Sequence, residues 1–163
     1  MLTLLAERFE QCGRVAQIVG PHGTGKSTLL DAIALELRQP VFKIVLRDRQ
    51  RRLPDIPDEF RSRNSVVIID GYEQLSTLSR LGLWWKRQRY HFGLLITVHR
   101  PVSGYPILSR TEPCREICER ILQTLLKNET DFRLCDSLFI KHKGNMRLVF
   151  LELYDQWEEA SSQ

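Results

Sequence analysis

The sequence predicts an α/β fold: a parallel β-sheet covered by helices, followed by further helices toward the C-terminal end. Three observations predict it. Strand-length apolar runs alternate with segments of helical periodicity through roughly the first two-thirds of the 163 residues, as in strands joined by right-handed helical crossovers. The run Ser65 to Ile69 is apolar enough for a strand buried on both faces, as parallel sheets require. Beyond Glu112 the chain reads as helical.

The elements follow in order. Residues 2–10 form a short helix with Leu2, Leu5 and Phe9 on one side. Arg14 to Val19 is a first strand that runs into a glycine-rich turn. Lys26 to Arg38 is a helix whose face carries Leu29, Leu30, Ile33, Ala34 and Leu37, and Gln39-Pro40 ends it. Val41 to Leu46 is a second strand, followed by a polar loop with a turn of helix near Asp58. Ser65 to Ile69 is the third strand, Gln74 to Tyr90 a helix, Phe92 to Val98 the fourth strand and Tyr105 to Ser109 a short fifth. Glu112-Pro113 starts another helix, since proline is tolerated in a first turn. A last helix runs from Asn145 to Glu159 after Gly144. No repeat and no dividing linker appears. The expectation is one domain over 1–163, with a core over 1–111 and a helical appendage over 112–163.

Composition narrows the class. Hydrophobic residues make up 42% of the chain, enough for a core. The first ten residues carry Glu7, Arg8 and Glu10 without a long apolar run, unlike a signal peptide. No apolar stretch reaches the roughly 20 residues of a membrane span. A cytoplasmic protein is therefore expected. The net charge of +4 and pI of about 9.0 favour phosphate-rich ligands without specifying nucleic acid. Cys12, Cys114, Cys118 and Cys135 read as reduced thiols, because the Cys114/Cys118 pair has no second pair nearby to complete a metal site.

The chemistry concentrates in three segments. GPHGTGKST fills the pattern G-x-x-x-x-G-K-[ST] between a strand and an amphipathic helix. Gly20, Pro21, His22, Gly23, Thr24, Gly25, Lys26, Ser27 and Thr28 are thereby a phosphate-binding loop. Glycines permit the backbone angles, successive N–H groups form an anion nest, and the following helix adds its positive end. Lys26 is expected to bridge the outer phosphates, Ser27 to bind magnesium and Thr28 to reach the inner phosphate. SVVIIDGYEQL places Asp70 at the end of an apolar strand, where its carboxylate serves the same magnesium ion. Glu73 follows as the residue that orients or deprotonates the attacking water. LLITVHRP sets Thr97 and His99 at the carboxyl end of the fourth strand, the edge where open α/β sheets hold ligands. Alternation along the strand points both the same way, toward a terminal phosphate or its attacking water, and Arg100 is a further phosphate contact.

In this order the three segments resemble the additional-strand (ASCE) division of P-loop ATPases, with Walker A at Gly20–Thr28 and Walker B at Asp70. That resemblance implies a three-layer sandwich around a five-stranded parallel sheet of order 5-1-4-3-2. KGNMRLVFLEL resembles the sensor-two region of AAA+ and STAND ATPases, which implies that Arg147 reaches the nucleotide and that the C-terminal helices are a reduced lid. DGYEQL resembles the STAND acidic motif, but Gln74 replaces one of its two acids, which bears on hydrolysis rate more than on binding. The implied cofactors are ATP and Mg2+, and the implied activity is that of a regulatory hydrolase. No Asn-Lys-x-Asp segment points to GTP, and no LSGGQ-like segment points to an ABC protein.

Two other readings stay open: a small-molecule or nucleotide kinase, with RDRQRRLP as a lid, and an interaction module that binds ATP without turnover. The partner is a nucleotide, with self-assembly or an unknown protein beside it. Arg47, Arg49, Arg51 and Arg52 crowd one loop, and Trp84, Trp85, Lys86, Arg87, Arg89 and Tyr90 close a helix. Such stretches serve as solvated or core surface, as a protein interface, or, less favoured, as a nucleic-acid contact.

Overall fold

The computed structural model describes residues 1–126 and 132–161; residues 127–131 and 162–163 of the expected appendage lie outside them. The chain divides into two compact units, Met1–Gly20 with Gly25–Arg110, and Pro21–Thr24 with Thr111–Gln163.

The first unit contains α1 (Leu2–Gln11), β1 (Val15–Val19), α2 (Lys26–Glu36), β2 (Val41–Val45), β3 (Val66–Asp70), α3 (Thr77–Tyr90), β4 (Gly93–Val98) and β5 (Ile107–Arg110). Its strands form one sheet of order β2-β3-β4-β1-β5, the expected order 5-1-4-3-2 read from the other edge. All pairings are parallel; Val15 to Val19 lie opposite Leu94 to Val98, and Val66 to Ile69 opposite Gly93 to Ile96. The central position of β4 explains why all six of its residues are buried.

Side chains alternate between two cores, as the strand period of two dictates. On one face Phe9 of α1 and Leu30 and Ile33 of α2 pack with Ala16, Ile18, Val66, Ile68 and Leu95. On the other, Leu83 of α3 and Phe92 pack with Val67, Ile69, Leu94, Ile96 and Val98. Arg14 anchors the sheet's opposite end: its guanidinium donates to the Arg63 carbonyl and, at 2.8 Å, to that of Ser65, just before β3.

Two of the boundaries that differ from the sequence reading are set by side-chain hydrogen bonds. The helix expected from Gln74 begins at Thr77. A 3-10 turn, Tyr72–Gln74, comes first, and the Ser76 hydroxyl caps α3 by accepting the Ser79 N–H at 3.2 Å. The fifth strand begins at Ile107 instead of Tyr105, because the buried Gln17 side chain claims the preceding loop. Gln17 Nε2 donates to the Val102 and Tyr105 carbonyls at 2.9 and 2.6 Å, and its Oε1 accepts the Val102 N–H at 2.9 Å.

The second unit holds α4 (Arg115–Leu126), α5 (Phe132–Lys141) and α6 (Met146–Ser161) around Cys118, Leu122, Cys135, Leu138, Met146 and Val149. The four cysteines are free thiols. Cys118 and Cys135 touch at 3.7 Å, and burial pushes the Cys118 thiol up to about 12. Among the described residues no group of His, Cys, Asp or Glu is arranged for a metal, and no helix is long and apolar enough to cross a membrane.

Replacing Gln17 by leucine keeps the volume and strands up to three main-chain groups of the 102–105 loop. At about 1–3 kcal/mol per orphaned group, Gln17→Leu is expected to lower the urea midpoint clearly, with the parent slope retained.

Candidate functional site

β1 ends at Val19, and the Gly20 N–H donates to the Val98 carbonyl at 3.1 Å, so the turn begins tied to the end of β4. Gly25 follows the turn at φ +84°, and α2 starts at Lys26, with the Leu29 N–H reaching back to the Gly25 carbonyl at 2.9 Å. Ser27 and Thr28 are exposed in the first turn of α2. The loop tip, Pro21–Thr24, belongs with the helical unit. There the Thr24 hydroxyl donates to the Pro21 carbonyl at 2.9 Å and meets the Thr111 hydroxyl at 2.7 Å. A side chain on Gly23, at φ +72°, would collide with Asn145, so glycine is required by contact as well as by backbone angle. His22 is exposed.

The acidic strand end is held from the next strand. Thr97 is buried, and its hydroxyl donates to Asp70 Oδ1 at 2.6 Å while accepting the Gly71 N–H at 2.9 Å. One hydroxyl thus fixes the carboxylate and the turn that follows it. Gly71 stands at φ +84°, where an added Cβ would come within 3.0 Å of the Leu46 carbonyl.

Glu73 lies on the 3-10 turn after that glycine. His99 Nδ1 meets its Oε1 at 2.9 Å, and its Oε2 is buried without a hydrogen-bond partner. Lys26 is buried, and its ammonium is held below the usual lysine range. Desolvation is the larger cause, opposed by attraction first to Glu73 and then to Asp70. Lys26 and both carboxylates therefore lie within one another's field, at the carboxyl edge of the parallel sheet.

Of the residues expected from sequence, Lys26, Asp70, Glu73, Thr97 and His99 come together in the first unit. Arg147 is exposed as the second residue of α6, in the unit that also contains Pro21–Thr24. Arg100 is exposed after β4. The sequence reading missed Arg80, which braces the Glu73 turn from α3. Its guanidinium donates to the Glu73 and Leu75 carbonyls at 2.9 and 3.0 Å and lies 5.0 Å from the centre of the Tyr72 ring. Its place one turn into a helix that follows the acidic segment is the only local signal of that role.

Residues 16–83 match the family model of the ATPase family associated with various cellular activities (AAA). No curated protein matches the sequence. Among solved structures the chain is similar to RuvB of Thermotoga maritima, the Holliday junction branch migration motor, at 19% identity and a TM-score of 0.57, over 91% of this chain and 56% of that one. Two single-residue variants of the same RuvB align with TM-scores of 0.58. The chain thus spans a little over half the length of these structures. The resemblance to AAA-type P-loop ATPases holds in the matched segment and in the fold.

Thr97→Val keeps the shape of the side chain and removes both hydrogen bonds. It is expected to cost about 1–3 kcal/mol in urea denaturation, the orphaned Gly71 N–H being the main term; a change within a few tenths would mean that the hydroxyl is dispensable to the turn.

Proposed function

We propose that this chain binds ATP with magnesium and hydrolyses it as a regulatory AAA-type ATPase. The observation that carries the reading is the buried side chain of Lys26, at the start of α2, in the field of Glu73 and Asp70. A desolvated cation so placed suits a ligand that brings phosphates and a divalent ion together.

In this reading the main-chain N–H groups of Gly20 to Thr28, including Pro21's neighbours His22, Gly23, Thr24 and Gly25, cradle the phosphates, and Lys26 bridges the outer ones. Ser27 and Asp70 hold the magnesium ion. Magnesium-bound ATP supplies a terminal phosphoryl group whose charge is already partly neutralised. Thr97 is a positioning residue that keeps Asp70 aimed at the metal. Glu73 takes the proton of the attacking water at Oε2, the oxygen that the fold buries without a donor. His99 holds Oε1 and so keeps the carboxylate turned. Arg147 brings nucleotide state to the helical unit.

The two open readings are separated by the fate of the terminal phosphate. Transfer to an acceptor other than water favours a kinase, and tight binding without release favours an interaction module.

A thermal-shift titration with ATP and magnesium should raise the melting temperature of the parent chain, and Lys26→Ala should remove the shift. ATP affinity unchanged in that variant would sink the binding claim. Glu73→Gln is expected to keep ATP binding and to slow phosphate release by about 10²–10⁴-fold, the usual share of a general base. Equal turnover in parent and variant would remove Glu73 from the chemistry.

A further inference from the structure

We propose that Cys118 and Cys135 form a reversible disulfide when the chain meets hydrogen peroxide, tying α4 to α5. Both thiols lie inside the second unit, and the inference does not rest on the reading of the nucleotide site.

The geometry carries it. Cys118 and Cys135 are 0% and 1% exposed, and their sulfurs, brought from two different helices, are in van der Waals contact at 3.7 Å. A disulfide needs about 2.05 Å, so the two side chains together have roughly 1.7 Å to close. The walls around them are apolar: Leu122, Leu138, Met146 and Val149. Among the described residues the two sulfurs belong to no group that could hold a metal. A buried cysteine by itself fills space as a small apolar side chain. Two sulfurs in contact are also the two halves of one bond.

The helices are already clamped at the same level. The Arg115 guanidinium of α4 donates to Asp136 of α5, the residue after Cys135, and to Glu119 Oε1 at 2.9 Å, the residue after Cys118. The clamp keeps the thiols face to face before any bond forms. A covalent link across 17 positions of chain then removes much of the freedom that the two helices gain on opening.

The chemistry starts at Cys135. Burial raises its thiol, but the contact with Cys118 favours its thiolate, and the Arg115 charge works the same way against Asp136 and Glu119. Burial pushes the Cys118 thiol up to about 12, and its contact with Cys135 raises it further. The Cys135 thiolate attacks one peroxide oxygen and the O–O bond breaks. Cys135 becomes a sulfenic acid, and the departing hydroxide takes up the thiol's proton as water. The Cys118 sulfur then displaces the sulfenic oxygen, which leaves with the Cys118 proton as a second water. Two thiols and one peroxide thus give one disulfide and two waters. Because both sulfurs are buried, the first step waits for a local opening of the unit, and the bond forms slowly.

Peroxide treatment of the folded full chain, followed by blocking of free thiols, trypsin and mass spectrometry, tests this. Cys12, Cys114, Cys118 and Cys135 fall on separate tryptic fragments, since an arginine stands between each and the next. Fragments 116–120 and 134–141 should be recovered joined, and dithiothreitol should part them. Amides of α4 and α5 should exchange with deuterium at least about tenfold more slowly in the oxidised chain than in the reduced one, as the link opposes the openings that expose them. Cys118→Ala and Cys135→Ala should each abolish the link. A chain carrying both Cys12→Ser and Cys114→Ser leaves the buried pair intact and should form the link at the parent's rate. A bond to Cys12 or Cys114 instead, sulfinic acid at Cys118 or Cys135 without a link, thiols left unmodified by peroxide, or amide exchange that does not change on oxidation would overturn the proposal.

Discussion

A buried lysine in the field of two carboxylates, at the carboxyl edge of a parallel sheet, is the constraint on which the rest of the site depends. Desolvation works against the charge of Lys26, and the fields of Glu73 and Asp70 work for it. Such an arrangement persists only if the surrounding backbone is fixed independently of the charge. The sheet provides that. β1 is paired on both sides, to β4 and β5, and β3 is paired to β2 and β4, so the strand ends that carry the loop and Asp70 do not move separately.

Thr97 links the two halves of this scaffold. It lies within β4, next to both β1 and β3, and its hydroxyl reaches sideways to Asp70 and Gly71. Strand alternation puts Leu95 of the same strand in the core that packs on α1 and α2. A polar side chain on the helix-covered face of a central strand would otherwise be an unsatisfied buried group. Here its two hydrogen bonds satisfy it and orient the carboxylate. Gln17 solves the equivalent problem on β1 by pinning the 102–105 loop. The sheet thus has its two polar interior side chains, Gln17 and Thr97, on β1 and β4, each holding a segment that follows a strand.

Beyond Thr97 the second carboxylate is held less deeply. Glu73 sits on a short turn whose backbone is braced by Arg80 and whose side chain is held by His99. One oxygen is engaged and the other is buried without a donor. An acceptor in that condition costs folding free energy until something donates to it. The same turn supplies the cap region of α3, so the helix that presents Leu78, Leu81 and Trp85 outward starts from the segment that presents Glu73 inward.

The strands, their alternation with helices in a parallel sheet and the loop at Gly20–Thr28 were legible in the residues, because periodicity, apolar runs and the glycine-lysine spacing are local signals; the strand order followed from the family resemblance. The same kind of local signal located Asp70 and Glu73: each follows an apolar strand within a few residues. What holds them is set by contacts between distant parts of the chain. Thr97 and Asp70 are 27 residues apart, Glu73 and His99 meet across neighbouring strand ends, and no local pattern encodes such pairings. The start of α3 was misread because Ser76 competes with the apolar periodicity through a cap, and hydrogen bonding at the helix end wins there. The first residue of β5 was misread because Gln17, distant in sequence, takes the carbonyl of Tyr105. Partners that lie far apart in the chain are chosen by register and packing, and those exist only once the sheet has formed.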